Sequence, residues 1–233
     1  MERLKVCAVP PKGQPEWYCM TIAAAQRKRA PKAFEAWLSR RDPDGAILKK
    51  TKELYPLVFV DTIHICLTPV VVSKICQDAV SSLKEKLERL FLLQFSAEVE
   101  PDFSAGYLTI NKIIGHAELE KKLGIISRHE NDLCYHIDST KAKEYCKTHS
   151  KGASLLTYGH THLGAEPKPS WDDDLNASMA DRPKFIASMP RKYMIGPRRF
   201  ALSAYGNNGI KIKFVYNNNA FPDKFSTKLN LIR

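Results

Sequence analysis

Between residues 69 and 93, Val72, Ile75, Cys76, Val80, Leu83, Leu87 and Leu90 recur at threes and fours, with charged residues between them. That period predicts one long amphipathic helix over 69–93. The run before it, "YPLVFVDTIHICLT" (55–68), is rich in β-branched and aromatic residues and predicts a strand. Downstream, "AGYLTINKIIG" (105–115) predicts one strand or two, and "HAELEKKLGII" a short helix that exits at Gly124. "DLCYHID" (132–138) predicts a strand, and "STKAKEYCKTH" (139–149) a helix capped by Ser139. "ASLLTYGHTH" (153–162) is an apolar strand that ends in two histidines. "RRFALSAYG-NNG-IKIKFVY" (198–216) reads as two strands joined in a hairpin by a Gly/Asn turn.

The first 54 residues have a different character. Residues 1–15 hold Pro10, Pro11, Gly13 and Pro15 and predict irregular chain. Residues 16–40 predict helix, with Pro31 opening a second one, and "RRDPDG" (40–45) predicts a turn. The expected organisation is a basic, mainly helical extension (1–54), one main domain (55–221) and an irregular tail (222–233). Helices alternating with strands imply a layered α/β or α+β fold.

A chain of 233 residues buries roughly 70–75% of its unfolded surface, so it folds without disulfide staples. None of its six cysteines (Cys7, Cys19, Cys66, Cys76, Cys134, Cys146) forms a C-x-x-C pair, and free thiols are expected. No stretch approaches the ~18 apolar residues of a membrane span. The opening residues lack the apolar core of a secretory signal, so a cytoplasmic protein is expected; a signal read by a specialised export machine escapes this test. The net charge of +11 is diffuse, though "RKRAPK", "SRR" and "KKTK" concentrate it within 27–52. An acidic protein or nucleic acid would suit such a surface. With no RNA-binding signature and no regular helix of arginines, nucleic acid is the less favoured partner.

The chemistry is concentrated in "GHTHLGAEPKPSWDDD". On a strand, residues i and i+2 share a face, so His160 and His162 project together. Seven residues later come Ser170 and, three beyond it, Asp173. If a helix starts at Ser170, these two side chains look at the same point. Ser-x-x-Asp is also close to a capping box, which needs no metal. Two imidazoles and one carboxylate, however, are the ligand set of a catalytic zinc with an open position. Such an ion supplies a water acidified toward a pKa of ~7. Amide hydrolysis further needs a carboxylate that moves the proton and a donor for the oxyanion.

His160-Thr161-His162, seven residues, then Ser170-Trp171-Asp172-Asp173 resembles the H-x-H-x7-S-x-x-D signature of the JAMM/MPN+ metalloproteases. The loop is also similar to the bacterial RadC variant. The resemblance implies a mixed β sheet flanked by helices. It implies zinc ligation by His160, His162 and Asp173, with Ser170 supporting the oxyanion. It also implies an upstream glutamate that holds the water, and a polypeptide substrate such as a ubiquitin-like protein or its conjugates. The signature covers about twenty residues, and the proline usual after the second histidine is Leu163 here. The glutamate register falls on Phe103, before Gly106. Glu100, 60 residues before His160, is the candidate base, brought into place by a bulge at Pro101-Asp102. Glu98, Asp102 and Glu118 are the alternatives.

The expected function is therefore a zinc peptidase or isopeptidase. If no carboxylate reaches the water, the chain is an inactive interaction module or a RadC-like DNA-associated protein. "GHTH" and Asp61-x-x-His64 also imitate metallophosphoesterase motifs, but no G-D-x-x-D or G-N-H-D/E lies between them. Cys134, His136, Cys146 and His149 have the residue types of a second, structural zinc site, but a spacing that matches no common finger. His64 and His116 read as structural, Trp17 and Trp171 as packing residues. Glu166 is poorly placed to ligate, and Asp172 and Asp174 read as helix N-terminal charges.

Overall fold

A computed structural model describes residues 3–5, 31–128, 135–149, 155–170, 173, 182–191, 199–206 and 210–216. Two helices, α1 (Pro31–Arg41) and α2 (Ala46–Leu54), come before the first long strand. Asp42 caps the second by accepting from the backbone N–H groups of Ile47 (2.9 Å) and Leu48 (2.7 Å).

The run at 55–68 is not all strand. Pro56 lacks an N–H for a ladder and opens a 3-10 turn over Pro56–Val58, whose side chains are buried. Strand β2 starts only at Thr62 and ends at Leu67. Helix α3 (Pro69–Glu85) follows, with Thr68 accepting from Val71 N and Pro69 in the first turn. It is shorter than its apolar period predicts. Lys86 adopts a left-handed conformation (φ 55°) and stops it. Leu90 then begins a strand, so the predicted helix over 69–93 is corrected to helix, turn and strand.

The remaining elements are β1 (Leu4–Lys5), β3 (Leu90–Val99), β4 (Ala105–Ile114), α4 (His116–Lys121), β5 (Ile126–Ser127) and β6 (His136–Ile137), then α5 (Ser139–His149), β7 (Leu155–His162), β8 (Lys184–Ser188), β9 (Ala201–Tyr205) and β10 (Lys211–Tyr216). Asp138, not Ser139, takes the capping place of α5: its Oδ1 accepts from Thr140 N and Lys141 N, both at 3.0 Å. Cys134 and the side chains of Cys146 and His149 lie outside the described residues, as do Trp17, Trp171, Asp172, Asp174 and the tail.

The large sheet runs β10-β2-β4-β3-β7-β8-β9, with β1 added to β3, and mixes parallel and antiparallel pairs. β5 and β6 form a separate pair. This is a mixed α/β architecture of the α+β kind. β9 and β10 exist as predicted but do not form a hairpin; they take the two ends of the strand order. Six strand spacings in a flat sheet would separate them by about 29 Å. The chain between Tyr205 and Lys211 reaches roughly 21 Å at full extension. The sheet therefore curls, and Phe185 on β8 meets Phe214 on β10 edge-on at 6.5 Å.

Inside the curl, α3 lays Val71, Val72, Ile75 and Ala79 against Phe91, Leu93, Leu108, Phe185 and Leu202. Each buried Val, Ile, Leu or Phe side chain here stabilises the fold by about 1.5–3 kcal/mol. A second cluster, on the other face, joins Leu92, Ile114, Leu119, Ala142 and Tyr145. Among the described residues, no helix is long and apolar enough to cross a membrane.

Candidate metal centre

Strand β7 has two faces with different duties. Gly159 and Thr161 face the first core. A Cβ on Gly159 would lie 2.5 Å from the Phe91 ring and 2.8 Å from Phe185, so only glycine fits. Tyr158, His160 and His162 line a cavity of about 970 Å³ on the opposite face.

The two imidazoles converge. Their Nε2 atoms are 3.1 Å apart. The Asp173 carboxylate closes the group, with Oδ1 3.6 Å from His160 Nε2 and Oδ2 3.8 Å from His162 Nε2. Ligands of a tetrahedral zinc stand about 3.3 Å apart, given metal–ligand lengths near 2.0–2.1 Å. One ligand atom from each residue lies within 4.8 Å of the others. The donor set, two imidazoles and a carboxylate, suits zinc. Burial holds His160 well below the ordinary imidazole range, at about 4, against the pull of Asp173. It is thus neutral at pH 7, as a ligand must be. Burial pushes the Asp173 carboxyl up, but the two hydrogen bonds from Ser170, with electrostatic attraction to the two imidazoles, outweigh it and hold the group low.

Ser170 fixes that carboxylate. Its backbone N–H (2.9 Å) and its hydroxyl (2.7 Å) both donate to Asp173 Oδ2, and Asp173 N donates back to Ser170 Oγ at 3.2 Å. This is the capping-box arrangement, and it also aims the carboxylate at the histidines. The intervening loop is anchored by Pro167, which is buried and whose carbonyl accepts from Ser203 Oγ on β9. Gly164 (φ 73°) makes the first bend, and Glu166 is exposed.

Glu100 is not part of this group. Leu90 pairs with His160, so the histidines sit at the start of β3. Glu100 follows the other end, ten residues on, a strand length of roughly 33 Å. There it accepts from Arg3 Nε at 2.9 Å, and Pro101-Asp102 form the β3–β4 turn. The assignment of Glu100 as base is thereby corrected. Glu98, Asp102 and Glu118 do not line the cavity either.

Besides Asp173, the carboxylate that lines it among the described residues is Glu88. Burial raises its pKa, His162 opposes this and Asp173 adds to it. Among the described residues it makes no ion pair or hydrogen bond. Its two neighbours are pinned. Ser82 Oγ donates to Leu87 O (2.6 Å), Arg89 N donates to Thr161 Oγ1 (2.8 Å), and Thr161 N donates to Arg89 O (2.9 Å). The sequence signal was a glutamate just ahead of "LFLLQF". Extending the helix to residue 93 hid it.

Asp61 directly precedes β2 and His64 lies on it, three strand positions from β7, where His64 stacks on Tyr107. They do not join the cluster. His116 is buried, and its Nδ1 accepts from Leu90 N at 3.2 Å. No protein-family model matches the chain, and no curated protein matches it.

Proposed function

We propose that this chain is a zinc-dependent peptidase or isopeptidase with a JAMM/MPN-like fold. The observation that carries the reading is the convergence of His160, His162 and Asp173 at the wall of a cavity that Glu88 also lines. A zinc ion bound there supplies a Lewis acid and a water acidified toward neutrality.

The chain's own residues do the rest. Glu88, a carboxylate of raised pKa beside the cluster, takes the proton of the attacking water and delivers it to the leaving amine. Ser170 holds Asp173 in place, and its oxyanion role requires its hydroxyl to turn from Asp173 to the substrate. In this reading the substrate lies in the open cavity on the face of β7 that carries the histidines. Ubiquitin-like conjugates are the substrate class that the sequence resemblance suggests.

The experiment is cleavage of peptide and isopeptide-linked substrates by the zinc-loaded chain, read by mass spectrometry. Cleavage abolished by EDTA and restored by zinc supports the reading. Zinc uptake without cleavage of any such bond, in wild type and Glu88→Gln alike, contradicts it.

A further inference from the structure

We propose that the cavity beside the cluster is a subsite for a carboxylate of the substrate, held by the Lys184 ammonium. Lys184 opens β8 and is only 7% exposed. β8 runs parallel to β7 with Ile186 opposite His160, so Lys184 sits two residues back along the same face. On its other side it pairs with Tyr205. Its Nζ donates to Tyr158 Oη and stands 4.3 Å from the centre of that ring.

An ammonium has three donors, and among the described residues Tyr158 is the one hydrogen-bond partner. No carboxylate among those residues pairs with it. The two that line the cavity, Glu88 and Asp173, belong to the histidine end. Burying an ammonium without a counter-ion costs several kcal/mol. The fold does not require it, because Phe185, Ile186 and Ala187 on the same strand are fully buried and apolar. A cation kept at the wall of an open cavity suits an incoming anion.

The strand register sets how far along the substrate the anion sits. Two strand residues separate Lys184 from the level of His160, about 6.6 Å. One extended residue spans about 3.5 Å, and a charge-assisted hydrogen bond adds about 2.8 Å. A carboxylate one residue from the scissile carbonyl therefore reaches Lys184. It is either the free chain terminus or an acidic side chain. This inference rests on the hydrolase reading for the word substrate, but the binding it predicts is measurable without turnover.

The test is NMR titration of the full chain, once loaded with zinc and once in EDTA, with two pairs of probes. N-acetyl-Ala-Ala is compared with its amide, and N-acetyl-Ala-Glu-amide with N-acetyl-Ala-Gln-amide. The acid in at least one pair should bind at least about tenfold more tightly, with and without zinc. The pair that discriminates identifies the source of the carboxylate. Lys184→Met, or Lys184→Gln if the first does not fold, should abolish the preference. In wild type the shift changes should centre on β8 and β9. Equal affinities in both pairs, a preference seen only with zinc, a preference that survives at Lys184, or shift changes centred elsewhere would each overturn the proposal. Failure of the hydrolase reading would appear separately, as absent cleavage.

Discussion

Thr161, the residue between the two histidines, and Arg89, the residue after Glu88, are locked together by two hydrogen bonds: Thr161 N to Arg89 O at 2.9 Å and Arg89 N to Thr161 Oγ1 at 2.8 Å. The Thr161 hydroxyl also donates to Ser82 Oγ at 2.7 Å, and Thr161 is fully buried. The face of β7 turned away from the cavity thus sets the position of Glu88 relative to the imidazoles. Thr161→Val keeps the shape and removes the hydroxyl. It should cost about 1–3 kcal/mol in urea denaturation, because Arg89 N and Ser82 Oγ lose their partner. Turnover should fall more than zinc affinity; an equal loss of both would tell against a positioning role.

Glu88→Gln should retain zinc and lower turnover by about 10²–10⁴. Glu100→Gln should leave turnover near wild type, since Glu100 is tied to Arg3 at the far end of β3. Steady-state kinetics on the two variants decide between the carboxylates.

How much of this was legible in the sequence depends on the range of the interaction. The histidine pair and Asp173 could be read because strand alternation and a fixed loop length are local rules. Glu88 could not, because the apolar period of α3 runs on through Leu87 and Leu90, and only Lys86 in a left-handed conformation ends it. Strand pairing was equally hidden. A Gly/Asn segment between two strands is a local hairpin signal, yet the curl of the sheet sends β9 to β8 and β10 to β2. The glutamate spacing pointed to residue 100 because sequence separation does not record which end of β3 faces β7.

Gly159→Ala should destabilise the chain by about 1–3 kcal/mol or more, since the added methyl meets Phe91 and Phe185 inside contact distance. Chemical denaturation of the metal-free chain measures this. A neutral effect would mean that β7 is not held against the core as described.

Acid should weaken the metal-free fold through His160. Its folded pKa is about 4, lowered by burial, against about 6.5 unfolded. Between those values the unfolded chain binds more protons, so stability is fully present above pH 6.5 and is lost as pH falls toward 4. The loss from this residue is at most about 3 kcal/mol. His116, also lowered by burial, adds in the same direction. Urea melts in EDTA at several pH values should show the slope, and His160→Gln should flatten it. An unchanged slope would assign the acid sensitivity elsewhere.

The most direct measurement is zinc stoichiometry after equilibrium dialysis, for wild type, His162→Ala and Asp173→Ala. One tightly held zinc per chain in wild type, with affinity lowered by two orders of magnitude or more in both variants, is the predicted result. A wild-type chain that binds no zinc, or variants that bind it as well as wild type, would contradict the account.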